Sequence, residues 1–248
     1  MKSAVASFLL LALMGAPRST VRADEKEVKA ILDKAVAAIG GEEKLGKVKA
    51  FSWKAKGTFS FMGNDNAVTL QATVQGLDHY RQELEGNFGG NAFKAINVLN
   101  GDKGYRDFGG NRSDLEGEAL ANLKRTVYLG VIPITALPLR EKGFKAETIA
   151  DEKIGDKPAA GLKVTGPEGK DFKIYFDKET GLPVRTVARV AFMGNEFTQE
   201  TNFSEYKEMA GIKKATKLTA KRDGEKFQEI TITEFKVLET VDPKTFSE

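Results

Sequence analysis

The chain has 248 residues, with 38 lysines and arginines against 35 aspartates and glutamates, a single histidine and no cysteine. The lack of cysteine excludes disulfides, thiolate metal sites and cysteine nucleophiles. One histidine cannot supply a usual zinc ligand set, and without a G-x-S-x-G elbow it has no serine triad to serve.

Met1 and Lys2 lead into the apolar stretch Ala4 to Met14, and Val21-Arg22-Ala23 closes it before Asp24. A basic start, an apolar centre well short of the ~20 residues that cross a bilayer, and a small residue at the cut predict a secretory signal over residues 1–23. The remainder, residues 24–248, is expected as one domain in the periplasm, a soluble monomer that does not span the membrane. Without a cysteine to acylate, it has no lipoprotein anchor. Lys2, Arg18 and Arg22 fall in the leader, so the 38 basic residues drop to 35 and balance the 35 acids. Zero formal charge offers no global attraction for nucleic acid. The basic positions Lys213, Lys214, Lys217, Lys221 and Arg222 read as the solvated face of a strand.

Asp24 and Glu27 make a capping-box-like start. Val28, Ile31, Leu32, Ala35, Val36 and Ile39 then recur on one helical face, and Gly40-Gly41 ends the amphipathic helix. From Ala50 the period becomes two. Phe51, Trp53, Ala55, Gly57, Phe59 and Phe61 alternate with polar residues, as do Val68, Leu70, Ala72 and Val74 after the Gly63 to Asn66 turn, which gives a hairpin. Further strands are expected over residues 77–85, 92–99 and 105–108.

Ser113 to Glu116 reads as a second capping box, followed by the helical stripe Leu115, Ala119, Leu120, Leu123 and Val127. The run Val131 to Leu139 is almost wholly apolar but holds Pro133 and Pro138, so it is expected as an apolar cover and not a central strand. Strand patterns resume from Phe144 and continue to Leu238, separated by turns such as Asp177 to Gly181, Gly194-Asn195 and Asp223-Gly224. The reading is mainly β: about ten or eleven antiparallel strands in one large sheet, which twist curls into an incomplete, half-open barrel. Residues 114–139 provide its helical, Pro-rich lid.

No chemistry is legible. His79 lies in a strand and reads as structural or solvated, the glycine clusters at 86–90 and 109–111 match neither nucleotide-binding fingerprint, and no calcium loop or metal site is present. No catalytic residue and no cofactor is expected. What remains is apolar capacity: 16 phenylalanines, many on one strand phase. Pockets lined by apolar and aromatic groups suit acyl chains. The candidate cavity residues are Trp53, Phe59, Phe61, Phe93, Phe176 and Phe192, and the candidate lid residues are Leu120, Leu123, Val127, Ile132, Ile134 and Leu137.

The leader, the N-terminal helix, the Asn100-Gly101-Asp102-Lys103-Gly104-Tyr105 hairpin, the helical insertion and the closing Val241-Asp242-Pro243-Lys244-Thr245-Phe246 together resemble the LolA-like periplasmic lipoprotein carriers. The opening Ile39-Gly40-Gly41-Glu42-Glu43-Lys44-Leu45 is similar to that of divergent bacterial members. The resemblance implies an incomplete β-barrel closed by helices, a non-enzymatic carrier of lipid or lipoprotein acyl chains between membrane-protein donor and acceptor. The family's early Arg-Pro pair, whose arginine holds the lid, is absent from Gln75 to Arg81, and Arg81 is the residue available in its place. Two other readings stand beside it: a cell-envelope module that holds a protein partner, its barrel filled by its own side chains, and a carboxylate-dependent hydrolase with two close acids in a pocket.

Overall fold

The computed structural model describes residues 19–61, 63–192 and 194–247, and leaves the side chains of residues 19–23, 61, 88 and 192 undescribed. Most of the expected leader therefore lies outside the described residues.

The period-two stretches form thirteen strands: β1 (Ala50–Phe61), β2 (Asn64–Gln75), β3 (His79–Phe88), β4 (Asn91–Asn100), β5 (Lys103–Phe108), β6 (Asn111–Leu115), β7 (Lys145–Ile154), β8 (Lys157–Thr165), β9 (Asp171–Asp177), β10 (Pro183–Phe192), β11 (Asn195–Met209), β12 (Ile212–Arg222) and β13 (Glu225–Leu238). They make one sheet in the order β6-β5-β4-β3-β2-β1-β13-β12-β11-β10-β9-β8-β7. Two meanders are thus joined where the first and last strands pair, and β6 and β7 are left as free edges. Two more strands form than the upper expectation. The polar β6, Asn-Arg-Ser-Asp-Leu, is the one with no apolar alternation to announce it.

Helix α1 (Ser19–Ile39) and the short α2 (Glu42–Lys47) precede the sheet, and α3 (Gly117–Thr135) connects its two edges. Two local expectations are corrected. Asp24 does not cap α1, because the helix starts upstream of it; its carboxylate instead accepts from the backbone N–H of Thr148 at 3.0 Å and its hydroxyl at 2.6 Å, which pins α1 to β7. These two bonds hold the Asp24 carboxyl below its ordinary range. Ser113 to Leu115 belong to β6, so α3 starts at Gly117 and its N-cap residue Glu116 makes no side-chain cap bond. Pro133 lies inside α3, which continues to Thr135 and ends on Ala136 in the left-handed region (φ 55°), followed by a 3-10 turn over Leu137–Arg140. The lost backbone donor is tolerated because Val131, Ile132 and Ile134 are buried around it.

The sheet curls around α3. Lys124 donates to Asp102 beside β5 at 2.8 Å, while Glu118 accepts from Lys170 beside β9 at 2.8 Å and Arg125 donates to the Asp171 carbonyl at 2.6 Å. In the strand order β5 and β9 stand nine steps apart, roughly 43 Å in a flat sheet. Eight consecutive helical residues, roughly 12 Å of helix, reach both limbs, so the sheet is folded over.

The bend has a visible cause between β1 and β13. The register there skips Thr233 on β13, and further along the same strand the pairing with β12 skips Phe227; bulges of this kind increase local twist. Gly57 sits between them, opposite Ile230. A Cβ at Gly57 would stand 1.9 Å from the Glu229 carbonyl oxygen, so only glycine lets the two backbones pass.

Candidate functional site

Directly opposed residues of antiparallel strands share a face. Register therefore places Phe51, Trp53, Ala55, Gly57 and Phe59 of β1 on the same side as Val74, Ala72, Leu70 and Val68 of β2 and Ile232 and Ile230 of β13. This is the inner, helix-facing side of the curl. It divides into two parts.

In the first part helices fill the concavity. Leu32, Val36 and Ile39 of α1 and Leu123, Val127, Ile132 and Ile134 of α3 share one buried cluster with Phe51, Val74, Tyr80 and Leu99 of the first meander and Leu162, Ile174 and Phe176 of the second. The fit is close. A Cβ at Gly104 would come within 3.0 Å of the Leu120 side chain and 3.1 Å of Leu123, so α3 rests directly on the β5 backbone.

In the second part no helix takes part. Ala55, Val68, Leu70, Ile230 and Ile232 form a separate buried cluster, packed by Trp53, Phe59, Leu84 and Leu218. Aromatic pairs border it: Phe59 against Phe227 at 5.2 Å, and Phe93 against Phe108 at 4.5 Å between centroids. Phe108, 48% exposed, is the large apolar side chain most open to solvent among the described residues. Trp53 packs against both clusters and marks the boundary.

The expected solvated face of β12 is corrected at two positions. Lys214 shares the inward phase of Ile212 and Leu218, and it is 7% exposed with its ammonium 5.3 Å from the centroid of Phe235. It has no hydrogen-bond or ion-pair partner among the described residues, and burial lowers its pKa to about 8. Arg222 stacks over Phe227 at 3.5 Å and binds Gln199 at 3.0 Å, and burial lowers its pKa to about 10. The signal was available in the sequence: Lys214 keeps step with Ile212 and Leu218, whereas its neighbours Lys213 and Lys217 do not.

The other expected residues fall as follows. Trp53 and Phe59 line the helix-free part, and Phe93 lies at its border. Phe176 is 2% exposed beneath the helices and faces no open space. The side chains of Phe61 and Phe192 lie outside those described. Leu123, Val127, Ile132 and Ile134 are buried against the sheet, and Leu120 and Leu137 pack at the margin of the same cluster. Arg81 faces away from α3, because its register partner Val98 belongs with Tyr105 and Phe246 to a small cluster on the outer side. There it binds Glu83 at 2.9 Å. His79, on the same outer side, bonds Asp78 at 2.8 Å and meets the edge of Phe246.

Cavities lie away from α3. One of about 330 Å³ lies over Ser52, Thr73, Arg81 and Glu83, and one of about 540 Å³ over Leu182, Val184, Arg185, Asn202 and Tyr206. The carboxylates whose titration is displaced are displaced downward, among them Asp33, Asp65, Asp102, Asp171, Glu196 and Glu229 by bonded lysines, arginines or hydroxyls, and Asp177, against its burial, by the backbone N–H groups of Thr180 and Glu179. A hydrolytic carboxylate pair requires the opposite shift in one member.

No family model matches the sequence, and no curated protein matches it. Among solved structures the chain is similar to a LolA superfamily protein from Nitrosomonas europaea, with a TM-score of 0.58, 11% identity, and coverage of 89% of this chain and 97% of that one. It is similar to a DUF1329 family protein from Desulfovibrio piger at a TM-score of 0.56 and 14% identity, over 88% of this chain and 96% of that one. A putative outer membrane lipoprotein-sorting protein domain from Vibrio parahaemolyticus gives 0.56 and 10%, over 88% and 94%. At these identities the likeness is one of fold.

Proposed function

We propose that this chain of LolA-like fold is a periplasmic carrier that holds acyl chains of lipids or lipoproteins on the inner face of its curled sheet, delivered after removal of residues 1–23. The observation that carries the reading is the divided inner face, where one part is filled by the chain's own helices and an adjoining apolar part lacks them. Leu70, Ile230, Phe59 and their neighbours offer a seat for a hydrocarbon chain. The side chains of α3 make the same kind of contact next door, so a longer guest can extend its seat by displacing them. Area removed from water at about 25 cal/mol/Å² stabilises either occupant, and exchange needs no bond-making step.

Partners on this reading are the acyl chains and the membrane proteins that give and take them. A second reading, a module holding an envelope protein with its barrel self-filled, is favoured by the burial of Ile132 at 0% and Phe176 at 2% exposure. Native mass spectrometry of protein isolated from periplasm separates the two. Acyl-bearing adducts that dissociate on activation are expected of the carrier, and the bare polypeptide mass alone would reject it.

A further inference from the structure

Resting on the acyl-chain reading, we infer that the ligand is an amphiphile with a single carboxylate head, and that Lys214 receives that carboxylate from within the trough. A buried ammonium without a counter-charge is unfavourable unless something compensates it. The described protein offers Lys214 only the face of Phe235. Its opposite residue on β11 is Lys207, of the same sign. Nearby lysines behave differently: Lys217, Lys226 and Lys236 are more exposed, and each holds an acid, Glu229, Asp65 and Glu234 respectively. Among the described residues Lys207, Lys213 and Lys221 hold no acid either but are exposed to water, whereas Lys214 has 7% of its surface exposed and little solvent to take the place of a counter-charge.

Its position fits a head group. Phe235 is the register partner of Trp53, the residue that touches both inner clusters. The ammonium therefore stands where the helix-filled part meets the helix-free part, at the inner end of the apolar seat. A chain lying along Leu218, Ile230 and Ile232 would bring its terminal group to this point. Lys207 stands opposite but is exposed, so the ammonium enclosed beside Phe235 is that of Lys214 alone, which matches one small anion. The other inward cation of β12, Arg222, is eight residues away, roughly 27 Å along an extended strand, and cannot share the same head group.

The test uses the full-length protein, hexadecanoate and the neutral hexadecan-1-ol, with affinities read by titration calorimetry at pH 7. The acid is expected to bind about tenfold or more tighter than the alcohol, and Lys214→Met to remove that preference while alcohol binding is retained. Lys214→Gln provides the same reading should the methionine variant misfold. Equal binding of acid and alcohol by the unaltered protein would overturn the carboxylate assignment and leave acyl binding standing. A preference that survives in Lys214→Met would overturn the role of Lys214. Acetate binding as tightly as hexadecanoate would mean a small-acid site and overturn the amphiphile. Failure of both long-chain compounds to bind would overturn the acyl-chain reading itself.

Discussion

The helix-filled and helix-free parts of the inner face are made from the same strands and the same apolar alternation, yet they end differently. Under α1 and α3, Val74, Leu99 and Ile174 are 1%, 0% and 0% exposed and belong to one continuous core. A few residues further along the same strands, Ala55, Leu70 and Ile230 pack against strand neighbours alone. What separates them is topology: α3 joins the two edges of the sheet and covers only the part its length can reach. An apolar strand face is thus a necessary feature of either a core or a binding seat, and the placement of the cover decides which it becomes.

This contrast can be broken at the bend that creates both parts. Gly57→Val places side-chain atoms where the Glu229 carbonyl already stands, and is expected to cost about 3 kcal/mol or more, read as loss of cooperative unfolding or a steep fall in denaturation midpoint. It can be sharpened by truncating one residue in each part. Ile132→Ala in the filled part is expected to lose about 3 to 4 kcal/mol in urea denaturation. Leu70→Ala, at 8% exposure and without a helix above it, should lose about half as much and widen the seat, so that long-chain binding weakens less than stability suggests.

At the boundary the effect reverses sign. The Lys214 value near 8 lies below its ordinary 10.5, so the unfolded chain binds the proton more tightly than the folded one. The resulting penalty is complete below pH 8 and is relieved as pH climbs from 8 towards 10.5, where stability rises. Lys214→Met is expected to stabilise the protein by on the order of 3 kcal/mol at pH 7 and to flatten that rise, as denaturation series at several pH values would show. The smallest change is expected at Arg125. Its Nε is buried without a partner and its guanidinium gives one bond to the Asp171 carbonyl. Arg125→Leu should alter stability by less than about 1 kcal/mol, the lost bond being offset by removal of the unsatisfied group.

Much of the strand architecture was legible because it depends on local alternation. Phe51 to Phe59 and Val68 to Val74 reveal their inward phase directly, and Asp177 to Gly181 and Asp223-Gly224 announce their turns. The features that escaped depend on distant contacts. Pairing of β1 with β13 joins residues nearly two hundred positions apart, and nothing in either strand encodes the choice. Pro133 argues locally only against a central strand, and the burial around it shows that the apolar cover it belongs to is the end of α3. Asp24 looks like a helix cap until Thr148 is brought against it from β7. The candidate site was half legible for the same reason. Trp53 and Phe59 follow from the alternation, whereas Phe176 carries the same apolar signal and was lost to the seat only because α1 and α3 lie over it. Lys214 is hidden from such a reading because its charge argues for solvent while its phase argues for the interior.

The unpaired margins of the sheet have a bearing on solubility. A curled sheet that stops short of closure leaves two rows of backbone donors and acceptors without a strand neighbour, one of them partly covered by α1 through the Asp24 bond to Thr148, and such rows invite strands from another molecule. Here one margin reads Asn111-Arg112-Ser113-Asp114 and the other carries Lys145, Glu147, Glu152 and Lys153. Charges so dense discourage end-to-end growth into fibres, and the molecule can keep an unsealed rim without polymerising through it.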